Sequence, residues 1–125
     1  MLKKILLAAL LLSLWPSTGS LDATELLTLS VTPAQSFAPV TLRVRVRMEA
    51  SADNRSFELV ADSIDFYRSS LLSLDGDRAP RVMVFEFKNV PAGEYELRAT
   101  LRDAVGKDRA SVRKQARVIP QAGEP

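Results

Sequence analysis

The chain contains no histidine and no cysteine. Without imidazole it has neither the commonest general base nor the commonest metal ligand, and without a thiol it has no cysteine nucleophile, so every histidine-based triad is excluded. No disulfide can form, and no lipid can be attached through an N-terminal cysteine. Aromatic residues make up only 6% of the chain. Carboxylate pairs, a serine–lysine pair and an oxygen-ligand metal remain as chemistries. The expectation is a domain that is not an enzyme and carries neither cofactor nor metal.

Long hydrophobic runs are equally scarce. One stands at the start, where Ile5 to Leu14 is apolar apart from Ser13, follows Lys3 and Lys4, and ends in Trp15-Pro16. A charged segment before a short apolar core is the pattern of a signal peptide. The run is about half of the ~20 residues a spanning helix needs. A signal peptide over 1–20, cut between Gly19 and Ala23, is therefore expected, with an uncleaved N-terminal anchor as the alternative. The mature chain then has no spanning segment and is periplasmic or secreted.

Loss of Lys3 and Lys4 leaves fifteen basic residues against fifteen acidic ones. A neutral domain lacks the counterion-release term that drives nucleic-acid binding, so no nucleic-acid partner is expected. About 100 residues suffice for one packed core and not for two.

Alternation with a period of two dominates the chain from Leu26 onward. In Val40 to Glu49, Leu42, Val44, Val46 and Met48 alternate with Thr41, Arg43, Arg45 and Arg47, and in Glu94 to Arg102, Tyr95, Leu97, Ala99 and Leu101 alternate with Glu96, Arg98 and Thr100. Such spacing puts apolar side chains on one face of a strand. Further strands are expected at Leu26–Thr32, Ser56–Ala61, Arg81–Lys88 and Arg109–Ile119, and at Phe66–Leu74, which has strand composition but no clean period. Lys114 falls on the apolar face of the last strand and marks an edge. Turn residues separate the runs, at Pro33–Pro39, Ala52–Arg55, Asp75–Asp77, Pro91–Gly93 and Gly106–Asp108. Together these features predict an all-β fold, a single antiparallel seven-stranded sandwich over 26–119, with 120–125 a disordered tail.

The run from Phe87 to Leu101, Phe-Lys-Asn-Val-Pro-Ala-Gly-Glu-Tyr-Glu-Leu-Arg-Ala-Thr-Leu, resembles the penultimate strand and preceding turn of immunoglobulin-like and prealbumin-like (carboxypeptidase regulatory-type) domains of exported bacterial proteins. Within it, Pro91 fixes one backbone angle, Gly93 is free to turn left-handed, and Tyr95 is placed to send its hydroxyl back to the turn as a tyrosine corner. The resemblance implies an immunoglobulin-like sandwich of the bacterial envelope. It carries no activity with it, because function resides in sites built on a fold.

Few residues suggest a site. Glu94 and Glu96 share a strand face, where the ordinary role is pairing with arginines such as Arg113 and Arg117. Asp75, Asp77, Asp53 and Asn54 are oxygen donors without the spacing of a calcium loop, and Asp-Gly is a common turn. The ladder Arg43, Arg45, Arg47 could face an acidic glycan or another anionic surface, or be an ordinary charged outer face offset by Glu86. Phe66, Tyr67 and Arg68, in the loop-rich segment Asp62 to Leu74, are of the types enriched at binding hot spots. The expected function is a non-catalytic module for protein binding or assembly in the bacterial envelope, with another envelope or secreted protein as partner. The first and last strands are the expected open edges, and binding of acidic glycans through the arginine ladder is the alternative.

Overall fold

The computed structural model describes residues 26–121. The signal peptide expected over 1–20, and all but Pro120 and Gln121 of the expected tail, lie outside the described residues. The described residues form eight strands: β1 (Leu27–Thr32), β2 (Gln35–Phe37), β3 (Val40–Met48), β4 (Ser56–Ser63), β5 (Phe66–Ser73), β6 (Val82–Val90), β7 (Gly93–Arg102) and β8 (Asp108–Ile119). A 3₁₀ turn, Gly76–Arg78, precedes β6.

They form two sheets, one ordered β1-β3-β6 and the other β2-β8-β7-β4-β5. Every pairing is antiparallel except that of β2 with β8, which is parallel. β2 is the strand beyond the expected seven. It lies inside the proline-bounded stretch expected as a breaker, and its three residues are too few to display a period. The chain thus leaves one sheet after β1 and joins the other at β2, placing Gln35, Ser36 and Phe37 beside Arg117, Val118 and Ile119. The last strand is consequently an open edge only before that cover.

The alternation in β3 and β7 translates directly into packing. Leu42, Val44, Val46 and Met48 from one sheet meet Tyr95, Leu97, Ala99 and Leu101 from the other in one buried cluster, with Phe57, Leu59 and Ala61 of β4 beside them. Each fully buried aliphatic or aromatic side chain of this kind contributes roughly 1.5–3 kcal/mol. The ring of Phe57 stacks on Phe85 at 5.8 Å, fixing β6 over β4. Three strands cannot cover five, so β5 extends past the facing sheet. That overhang explains its lack of a period: Phe66 and Ser70 are half-buried, while Tyr67, Leu71 and Leu72 are exposed.

The turn before β7 departs from expectation in its backbone. The left-handed residue is Asn89 (φ 57°) and not Gly93, whose φ of 159° is close to extended. Space explains the glycine: a Cβ at Gly93 would stand 2.8 Å from Ser63 Oγ and 3.4 Å from the Tyr95 ring. At Gly76 both constraints act, since its φ is 58° and a Cβ would lie 3.0 Å from the Ala52 carbonyl oxygen.

Candidate functional site

The arginine ladder lies on the outer face of the three-stranded sheet. Pairing register sets it in a grid of three rows: Thr28, Arg47 and Val82; Ser30, Arg45 and Val84; Thr32, Arg43 and Glu86. Each arginine therefore sits, by strand register, between a hydroxyl-bearing residue of β1 and a residue of β6. All three arginines are exposed, but they are not equivalent. Arg43 is bonded to Glu86 at 3.0 Å, whereas no carboxylate among the described residues comes within ion-pair distance of Arg45 or Arg47. Glu86 thus offsets one rung, leaving two unpaired beside Thr28, Ser30 and the exposed Val84.

The outer face of the five-stranded sheet is charged in the opposite manner, with nearly every arginine matched. Arg102 bonds Asp108 at 3.0 Å and Glu58 at 3.1 Å, and both hydrogen bonds hold its guanidinium more firmly charged than usual. Arg98 bonds Glu96 at 3.1 Å, Arg113 approaches Glu96 at 3.9 Å, and Arg117 approaches Glu94 at 3.5 Å. The two strand glutamates therefore serve as cross-strand partners.

Phe66, Tyr67 and Arg68 open β5, in a hairpin whose turn is Ile64-Asp65 and not in a loop. Phe66 packs edge-on against Tyr95 at 5.5 Å, and the Arg68 guanidinium lies over the Phe66 ring at 5.1 Å. Tyr67 remains 62% exposed. β5 pairs on one side with β4 and has no neighbour on the other among the described residues. Its remainder, Ser69-Ser70-Leu71-Leu72-Ser73, carries no charge, and Leu71 is 67% exposed.

The other edges are protected. β8 carries Arg113 and Lys114 and is covered by β2 at its end; β6 carries Glu86 and Lys88; β1 lies against β8 across the open side of the sandwich. Charged or covered edges are how sheet proteins avoid unwanted pairing. Sequence reasoning missed Leu71 and Leu72 as surface residues because nothing local reveals which strand falls outermost. The structure does not bring the arginines and the Phe66–Arg68 group together, as they belong to different sheets.

Pro91, Gly93 and Tyr95 surround one hydrogen bond: the Tyr95 hydroxyl donates to the Pro91 carbonyl oxygen at 2.6 Å. Asn54, a candidate metal-ligand oxygen by composition, is buried and engaged within the protein: its amide nitrogen donates to the Glu49 carbonyl oxygen at 2.8 Å, and its amide oxygen accepts from Arg109. Among the described residues, no three acidic side chains converge as metal ligands. No helix among them is long and apolar enough to cross a membrane.

No protein-family model matches the chain, and no curated protein matches it in sequence. Solved structures do match in fold. The superoxide reductase (neelaredoxin) of Ignicoccus hospitalis is 15% identical, with a TM-score of 0.54 over 74% of this chain and 80% of that one. A lytic polysaccharide monooxygenase of Jonesia denitrificans is 15% identical, with a TM-score of 0.45 over 71% of this chain and 58% of its own. The CARDB domain of a Pyrococcus furiosus protein, solved with di-metal ions, is 15% identical, with a TM-score of 0.48 over 76% and 94%.

The likeness to the superoxide reductase supports an all-β sandwich of immunoglobulin-like type and does not reach the prealbumin-like family. It also overturns the expectation that the domain is not an enzyme. The sandwich that matches at a TM-score of 0.54 is itself a reductase, so this architecture gives no reason to set catalysis aside. The missing histidine and cysteine remove particular chemistries and not catalysis as such, because chemistry depends on the site and not on the scaffold. At 15% identity, the likeness concerns fold alone.

Proposed function

We propose that this chain is an exported module of the bacterial envelope that binds or assembles with another protein by accepting a strand at the open edge of β5. The observation behind this reading is the contrast between edges: β5 is eight residues long, the backbone N–H and C=O groups of alternate residues face its open side without a strand partner, and it carries a single charge, at Arg68. A strand added there gains main-chain hydrogen bonds for affinity and side-chain contacts with Tyr67, Leu71 and Leu72 for selectivity. Export is supported by the Lys3-Lys4 segment and the apolar run behind it.

Leu71 is exposed, so Leu71→Arg leaves the core intact while placing a charge on the edge. In cells expressing the tagged full chain, the protein is expected in the periplasmic or secreted fraction. There, strand-dependent partners should be retained by the wild type and by Val84→Arg, a control on the other sheet, and lost with Leu71→Arg. Equal retention by all three would remove β5 from the reading, and recovery from the cytoplasm would remove export.

A second reading has its own observation, the side chains of Arg45 and Arg47, which have no ion-pair partner among the described residues and whose strand positions lie between Thr28, Ser30, Val82 and Val84. This face suits an acidic glycan, whose carboxylates or sulfates would meet the arginines while sugar hydroxyls meet the serine and threonine. Exposed charges are screened by salt, so retention on a sulfated-glycan column should fall with ionic strength. The Arg45→Ser/Arg47→Ser variant should elute at clearly lower salt than the wild type, with Arg43→Ser closer to the wild type because Glu86 already engages that side chain. Identical elution of all three proteins would eliminate this reading.

A further inference from the structure

We infer that the strand accepted by β5 is β5 of a second copy of this chain, paired antiparallel about Ser69. The inference rests on the open-edge reading and adds the identity of the partner.

Residues directly opposite in an antiparallel pair lie on the same face of the sheet, so a two-fold axis perpendicular to the sheet pairs residues of equal parity. Centred on Ser69, the register sets Tyr67 opposite Leu71 on the outer face and Phe66 opposite Leu72 on the inner face, each twice by symmetry. Both aromatics meet a leucine, and Arg68 meets Ser70. The arrangement follows from the order Phe66-Tyr67-Arg68-Ser69-Ser70-Leu71-Leu72-Ser73. Aromatic and aliphatic side chains sit at mirrored distances from the central serine.

Neighbouring registers lack this fit. Centred on Arg68, two guanidiniums stand directly opposite each other, which is unfavourable, and the aromatics face serines. Centred on Ser70, Arg68 faces Leu72, Leu71 faces Ser69 and Tyr67 faces Ser73, while Phe66 falls opposite Leu74, which lies beyond the strand and is buried in its own domain. Charge and shape therefore select the same register. The self-complementary patch is what an isologous two-fold interface demands, with one surface serving both partners. Exposure of Tyr67, Leu71 and Leu72 in the single chain is then the exposure of an interface. Pairing joins the two five-stranded sheets into one continuous sheet, leaving the arginine face of each copy free.

The absence of cysteine supplies a direct test. Opposed residues of an antiparallel pair have Cα atoms about 4.5–5.5 Å apart, within the range a disulfide spans. A Ser69→Cys variant exposed to oxidised glutathione should form a disulfide-linked dimer, its two thiols giving up their protons and two electrons to yield reduced glutathione. Linking should be at least tenfold faster than for Ser30→Cys on the opposite sheet. In sedimentation equilibrium the wild type should be a dimer, and Leu71→Arg a monomer with an unchanged far-ultraviolet spectrum. A monomeric wild type, with Ser69→Cys linking no faster than Ser30→Cys, would overturn self-pairing. Loss of a different protein from Leu71→Arg would then still uphold the open-edge reading, whereas its retention by that variant would overturn both.

Discussion

Replacing Tyr95 by alanine is expected to destabilise the domain by ~3–5 kcal/mol, the range for truncating a large buried aromatic. That is a large part of the ~5–15 kcal/mol by which a domain of this size is stable. The ring is buried between the sheets, packs edge-on against Phe66 at 5.5 Å, and lies beside Gly93, where a Cβ would touch it at 3.4 Å. Tyr95→Phe keeps the ring and loses only the hydrogen bond to Pro91, for ~0.5–1.5 kcal/mol. Urea unfolding of the three proteins measures both, and a Tyr95→Phe loss as large as that of Tyr95→Ala would show that the hydroxyl dominates. Alkaline pH separates the contributions further. Burial, followed by the negative charge of Asp65, raises the Tyr95 hydroxyl above its ordinary pKa of 10.0. The folded state then holds a proton that the unfolded chain releases, so this contribution is intact below about pH 10 and is lost as pH rises through the folded-state value. The Phe variant should lose stability less steeply in that range.

Tyr95 also marks how much was legible before the structure. Its strand and β3 have long, uninterrupted alternation because both faces of each are unambiguous: one sees the opposite sheet, the other sees water. The expected pairing of Glu94 and Glu96 with arginines comes from the same logic, since outward residues of adjacent antiparallel strands must meet. β5 was illegible for the complementary reason. Its inner face overhangs the smaller sheet, so Arg68 and Ser70 stand where apolar residues would otherwise be needed. Which strand lies outermost depends on pairing order, a non-local property that no window of sequence contains. The expectation of no enzymatic role failed differently, by reading a general conclusion from missing residue types when a similar sandwich supports chemistry.

Asn54 shows the same limit on a smaller scale, and its replacement should have the second large effect. Between Asp53 and Arg55 it looks like a solvated turn residue, yet it is 1% exposed, among the least accessible positions of the domain. Its side chain ties the Glu49 carbonyl after β3 to the Arg109 guanidinium at the start of β8, and its backbone carbonyl accepts from the Gly76 amide at 3.0 Å. Asn54→Ala removes the two side-chain bonds and leaves both a carbonyl and a cation short of a partner in a partly buried place. A cost of ~2–4 kcal/mol is expected, since bonds to charged groups are worth more than neutral ones and the orphaned groups add their own penalty. Asn54→Asp discriminates between the two contacts. It retains an acceptor for Arg109 and turns that bond into an ion pair, but it replaces the amide donor with a carboxylate oxygen facing the Glu49 carbonyl. If the Arg109 contact dominates, Asn54→Asp will melt near the wild type and well above Asn54→Ala. If the Glu49 contact dominates, Asn54→Asp will melt at or below Asn54→Ala. Wild-type melting of Asn54→Ala would show that water replaces both bonds and that the buried amide is not a structural tie.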